Sequence, residues 1–102
     1  MSTLLRTELE VVVGPEPMAP RIDDVSAMRG SHRVVATFET GERRIYDVTP
    51  LLGRGVFGRI IDPEAFARVS VVEGGGGIEW EAGPDLSRNS VYFSGRPAED
   101  SE

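Results

Sequence analysis

Three sets of residues in this sequence have types and spacings that could do chemistry. Gly53-Arg54-Gly55-Val56-Phe57-Gly58 fits G-x-G-x-x-G, a turn that lets a nucleotide's phosphates approach the main chain. The dinucleotide form of that motif needs a buried strand before it and a long helix after it. Here Thr49-Pro50-Leu51-Leu52 precedes it and Asp62-Pro63 cuts any following helix short. The kinase form needs a downstream lysine, and all eleven basic residues of this chain are arginine. The glycines are therefore expected to permit a tight connection, with no cofactor held. The missing lysine also removes Schiff-base chemistry.

The second set is His32, the only histidine. General-base work would require a nucleophile or carboxylate beside it, so it is expected to be an exposed turn residue. The third set is the acids. Asp23 and Asp24 are adjacent on an expected strand and point to opposite faces, while Glu79 and Glu81 share the face opposite Trp80 that should meet water. Neither pair converges on a substrate or a metal. With no cysteine in the chain, no thiolate nucleophile or Cys-based zinc site is available. Catalytic, cofactor-binding and metal-binding residues are all expected to be none, and no small-molecule substrate is evident.

The elements that must position these residues follow from spacing. Arg21–Arg29 is expected to be a first strand, with Ile22, Val25 and Ala27 or Met28 as its apolar positions and Gly30-Ser31 as the turn. His32–Glu39 has the cleanest period-2 pattern, with Val34, Ala36 and Phe38 on one face. Thr40-Gly41 turns the chain, and Glu42–Val48 returns with Tyr46 and Val48 toward the core and Arg43 or Arg44 at an exposed start. Thr49-Pro50 opens a short helical turn, Gly53–Gly58 is expected to be loose, and Phe57, Ile60 and Ile61 return to the core. Asp62-Pro63-Glu64 is a helix start, with an N-cap aspartate and proline at N1. Val69–Val72, the Gly74–Gly77 reversal and Gly77–Glu81 form a hairpin, with Ile78 and Trp80 facing inward. Ser87 caps a second short helix over 87–93.

The fold class is thus α+β: a small, mostly antiparallel sheet, made of a three-stranded meander plus a glycine hairpin, with one or two short helices. Residues 1–20 read as an N-terminal extension or peripheral strand around Leu9–Val13, followed by the breaker Gly14-Pro15-Glu16-Pro17. Residues 21–95 form a single domain and 96–102 an acidic disordered tail. The 102-residue chain carries a net charge of −6, contributed largely by its ends. Glu8, Glu10 and Glu16 lie near one end, and Glu99, Asp100 and Glu102 near the other. The longest apolar runs fall far short of the roughly 20 residues that span a bilayer, and no signal peptide is apparent. A cytoplasmic location is expected.

Charge is polarised within the domain. Residues 29–59 hold six arginines against three acids, and residues 60–97 hold the reverse. Arginine is favoured at interfaces over other charges, so Arg43, Arg44, Arg54 and Arg59 are the candidate partner-binding residues. Alanine at Arg43 and Arg44 is expected to weaken partner binding and leave the melting temperature nearly unchanged.

The ordered set F-E-T-G-E (38–42), Y-D-V-T-P-L-L (46–52), G-V-F (55–57), D-P-E-A-F-A-R-V (62–69), I-E-W (78–80) and D-L-S-x-x-x-V-Y (85–92) resembles an uncharacterised bacterial family, domain of unknown function 2442. The resemblance spans Arg21–Phe93. It departs at Glu81-Ala82, where the family usually has proline after the tryptophan, and at the four-glycine hairpin. The resemblance implies a small α+β domain with no known active site. Some relatives carry a following helix-turn-helix domain, which this chain is expected to lack. Others are encoded beside another small uncharacterised protein in arrangements that look like toxin–antitoxin pairs. The expected function is a non-enzymatic protein-binding module, antitoxin-like, whose partner is another small protein or itself. A nucleic-acid-associated regulator using an arginine patch is the alternative, which the near-neutral domain charge disfavours.

Overall fold

The computed structural model describes residues 18–98. The expected strand over Leu9–Val13, the 14–17 breaker and residues 99–102 lie outside the described residues. The element order is β1 (Ile22–Ala27), β2 (Arg33–Phe38), β3 (Arg43–Asp47), α1 (Pro63–Ala67), β4 (Val69–Val71), β5 (Gly77–Trp80), β6 (Asp85–Ser87), α2 (Arg88–Ser94) and β7 (Arg96–Pro97). Short 3-10 turns cover Thr49–Leu51, Gly55–Ile60 and Glu73–Gly75. The fold is α+β, with two antiparallel sheets ordered β1-β2-β3-β7 and β4-β5-β6.

The meander forms as its alternation dictates. Val34, Ala36 and Phe38 are buried along β2, opposite Tyr46 and Arg44 on β3. On β1 the buried pair is Ile22 and Val25, three residues apart, which strict alternation would put on opposite faces. The register shifts between Ile22 and Asp24, and this bulge supplies the extra residue that returns Val25 to the core side. One core joins both sheets and their connections. It unites Ile22, Val34, Phe38 and Val48 with Ile60, Phe66, Ile78, Trp80 and Val91.

Both expected caps are present. Asp62 accepts from the Glu64 and Ala65 N–H groups at 3.1 and 3.2 Å, and Ser87 Oγ accepts from Ser90 N–H at 3.1 Å. Three expectations need correction. Gly55–Gly58 is a 3-10 turn rather than a loose segment, because successive short-range bonds such as Phe57 N–H to the Arg54 carbonyl close it. Ile61 is 53% exposed and Ile60 fully buried, since the turn aims only one of the two inward. Residues 96–98 are not part of a tail. Arg96 and Pro97 pair with Ile45 and Arg44, Ala98 N–H donates to the Arg43 carbonyl, and Ala98 is buried.

Candidate functional site

The β1–β2 connection is a wide turn rather than a two-residue hairpin. Met28 N–H donates to the Arg33 carbonyl at 2.8 Å, and Gly30 takes φ +82, a conformation glycine adopts without a Cβ penalty. Facing this turn is α1, which is fastened from two directions. The Trp80 indole N–H donates to the Phe66 carbonyl at 2.9 Å in a buried bond. His32 Nε2 lies 2.8 Å from the Ile61 carbonyl oxygen. A carbonyl can only accept, so Nε2 is the donor in this bond. The His32 ring also meets Phe66 edge-on, with centroids 4.9 Å apart. His32 is therefore a half-buried link between turn and helix, not the exposed turn residue expected. Its partners lie 29 and 34 positions away in the chain, so local spacing carried no signal of them.

Between turn and helix opens a groove of about 580 Å³. Ala27, Met28, Phe66 and Ala67 are its apolar lining, with Arg29 on the turn side and Glu64 on the helix side. Its polar residues do not assemble an acid–base relay. Ser31 Oγ reaches the Met28 carbonyl at 3.4 Å, and His32 commits Nε2 to the Ile61 carbonyl. Among the described residues no group of three or more His, Cys, Asp or Glu side chains is placed to hold a metal. Near the same end of the sheet, Asp47 is held below its ordinary value by the Thr49 hydroxyl and then the Thr49 backbone N–H, with Arg33 and His32 adding positive potential.

The four candidate arginines do not share one face. Arg43 and Arg44 are consecutive on β3 and point to opposite sides of the sheet. Arg43 is exposed. Arg44 turns to the core side, opposite Ala36, and is fully engaged. Its Nη2 and Nε donate to Glu42 Oε2 at 2.6 and 3.0 Å, Nη1 reaches the Gly95 carbonyl at 3.3 Å, and Cζ lies 4.3 Å from the Tyr92 ring centroid. The Tyr92 hydroxyl donates to Glu42 Oε1 at 2.8 Å. These bonds hold the Glu42 carboxyl below its ordinary range, Tyr92 contributing most and Arg44 next. Glu42 in turn raises Arg44. Arg59 Nη1 donates to the Ala82 carbonyl at 3.2 Å, and Arg54 is exposed before the 3-10 turn. Alternation from Tyr46 and Val48 already put Arg44 on the core side, a signal the arginine pattern overshadowed.

The remaining acids are placed largely as expected. Asp23, Asp24, Glu79 and Glu81 are exposed, and Glu81 makes one long ion pair, 3.8 Å from Arg68. Trp80, expected in the core, is 2% exposed. No helix among the described residues is long and apolar enough to cross a membrane. No curated protein and no solved structure matches the chain. Residues 22–97 match the family model described as protein of unknown function, DUF2442, and the chain belongs to that family.

Proposed function

We propose that this member of the family is a non-enzymatic protein-binding module whose groove between the β1–β2 turn and α1 receives an apolar side chain from a partner. The observation that carries the reading is the make-up of the groove. Its lining includes the apolar Met28 and Phe66, and its only acidic or arginine side chains are Arg29 and Glu64. Aromatic residues, methionine and arginine are enriched at interface centres, and charge is depleted there. A buried anchor in such a depression is the usual source of binding energy.

The partner class this reading takes is the small protein implied by the family resemblance, an antitoxin-like pairing. The nucleic-acid alternative draws less support, because Arg43 and Arg44 face opposite ways and Arg44 is occupied by Glu42. Calorimetric titration of the purified chain with the purified product of its neighbouring gene tests the reading. Saturable binding is expected, together with its loss in Ala67→Arg, which fills the groove from an exposed helix position. A heat-silent titration with both proteins remaining monomeric sinks it, as does unchanged binding by Ala67→Arg.

A further inference from the structure

The two walls of the groove differ in what they offer a ligand. From this difference we infer that the partner segment carries a carboxylate beside its apolar side chain. The inference rests on the groove being a protein-binding site.

The turn wall is rich in donors. Among the described residues none accepts a hydrogen bond from the N–H groups of Arg29 or Gly30. The exposed Arg29 guanidinium has no ion pair among them either. Acceptors on this wall are partly spent. The Met28 carbonyl takes the Ser31 hydroxyl, and the His32 carbonyl takes the Val48 N–H. The helix wall presents the opposite character. Glu64 is exposed there, its carboxylate an acceptor only.

A carboxylate entering beside an apolar side chain is repelled by Glu64 and drawn to the Arg29–Ser31 wall, so the two walls also fix the direction in which the segment lies. Arginine's planar fork suits a carboxylate. A hydrogen bond to an ionised acceptor is roughly twice as strong as a neutral one. A lysine-bearing segment would instead have to reach Glu64 and would leave the donors of the turn to water.

The test is an NMR titration of the ¹⁵N-labelled full chain with an acetylated and amidated hexapeptide, Gly-Ser-Leu-Glu-Ser-Gly. Versions with glutamine or lysine in place of the glutamate serve as comparisons. The glutamate peptide is expected to shift the Gly30, Ser31 and Ala67 amides saturably. It should bind about five- to tenfold more tightly than the glutamine peptide, the ratio that one charge-assisted bond gives. Arg29→Gln should erase that ratio, and Glu64→Gln should raise affinity for the glutamate peptide. Equal binding of the glutamate and glutamine peptides, or tighter binding of the lysine peptide, overturns the carboxylate inference and leaves the groove reading standing. Absence of groove shifts with all three peptides overturns both.

Discussion

The two ends of the β2–β3 ladder carry the same three kinds of side chain and use them in opposite ways. At the end where β3 begins, an acid, an arginine and an aromatic close on one another. Glu42 takes the Tyr92 hydroxyl on one oxygen and Arg44 on the other, and the guanidinium lies over the tyrosine ring. Tyr92 then packs edge-on against buried Phe38. At the other end, Glu64, Arg29 and Phe66 surround a groove, and among the described residues neither charged side chain is paired. Residue type is therefore a poor marker of an interface. What separates a clasp from a binding rim is whether the polar atoms already have partners within the fold. On that criterion Arg44, chosen for its type and its place at a strand start, belongs to the architecture, while Arg29 is available to a partner.

The sharpest way to break this comparison is to attack a residue that the engaged part of the fold cannot spare. Trp80 is 2% exposed, fills the core beside Phe66 and holds α1 through the bond to the Phe66 carbonyl. Trp80→Ala should cost about 3–5 kcal/mol, the usual range for deleting a large buried aromatic. Urea unfolding monitored by circular dichroism reads it. A loss below about 1 kcal/mol would mean that α1, and with it the helix wall of the groove, is held by something other than this joint.

The four-glycine run repeats the contrast between engaged and open within consecutive residues. A Cβ at Gly77 would collide with the Leu86 carbonyl oxygen, whereas one at Gly76 meets nothing within 4 Å, and Gly76 has an ordinary φ of −79°. Gly77→Ala should therefore destabilise by roughly 1–3 kcal/mol, as overpacking does. Gly76→Ala should stay within about 0.5 kcal/mol of the parent. Equal effects at the two positions would show that the β5–β6 approach is not as close as described.

A smaller effect is expected at the clasp. Arg44→Ala removes the ion pair, the contact with the Tyr92 ring and the bond to the Gly95 carbonyl, so the melting temperature should fall by several degrees. This reverses the expectation, drawn from the arginine pattern alone, that alanine here is thermally neutral. Acid separates the clasp from the rest of the chain. Because the Glu42 carboxyl is depressed below its ordinary 4.5, it adds stability above that pH and loses it as pH falls through the folded value. Asp47, also depressed, loses stability in the same direction. The diagnostic is therefore Glu42→Gln, whose stability should fall less than the parent's between neutral pH and about pH 3.5. Parallel urea-unfolding curves for the two proteins would remove the Glu42 contribution.

How far the sequence revealed these features depended on their range. The β2 alternation, the Asp62-Pro63 start of α1, the Ser87 cap and the inward Trp80 are set by neighbours a few residues away, and all are visible in the chain. The β1 bulge left a local trace, the three-residue spacing of Ile22 and Val25, but nothing local says which residue is extra. Pairing of Arg96-Pro97 with β3 left none. A two-residue strand containing proline has no propensity of its own and exists because Arg44 and Ile45 present an edge. The groove was invisible for the same reason. It depends on His32 reaching Ile61 and Trp80 reaching Phe66, contacts that only the assembled fold creates.

The smallest effect is expected at the open rim, and it is the most diagnostic for the comparison. Arg29→Gln removes a charge with no ion pair among the described residues, and Arg43→Ala trims an exposed side chain. Each should leave the unfolding free energy within about 0.5 kcal/mol of the parent, as surface substitutions outside a network do. Because Arg29 makes no ion pair among the described residues, any loss of partner affinity on its replacement can be assigned to the interface rather than to a weakened domain. Arg44 allows no such separation. If Arg29→Gln instead lowered stability as much as Arg44→Ala, the rim would be as engaged as the clasp, and the distinction that singles out the groove would disappear.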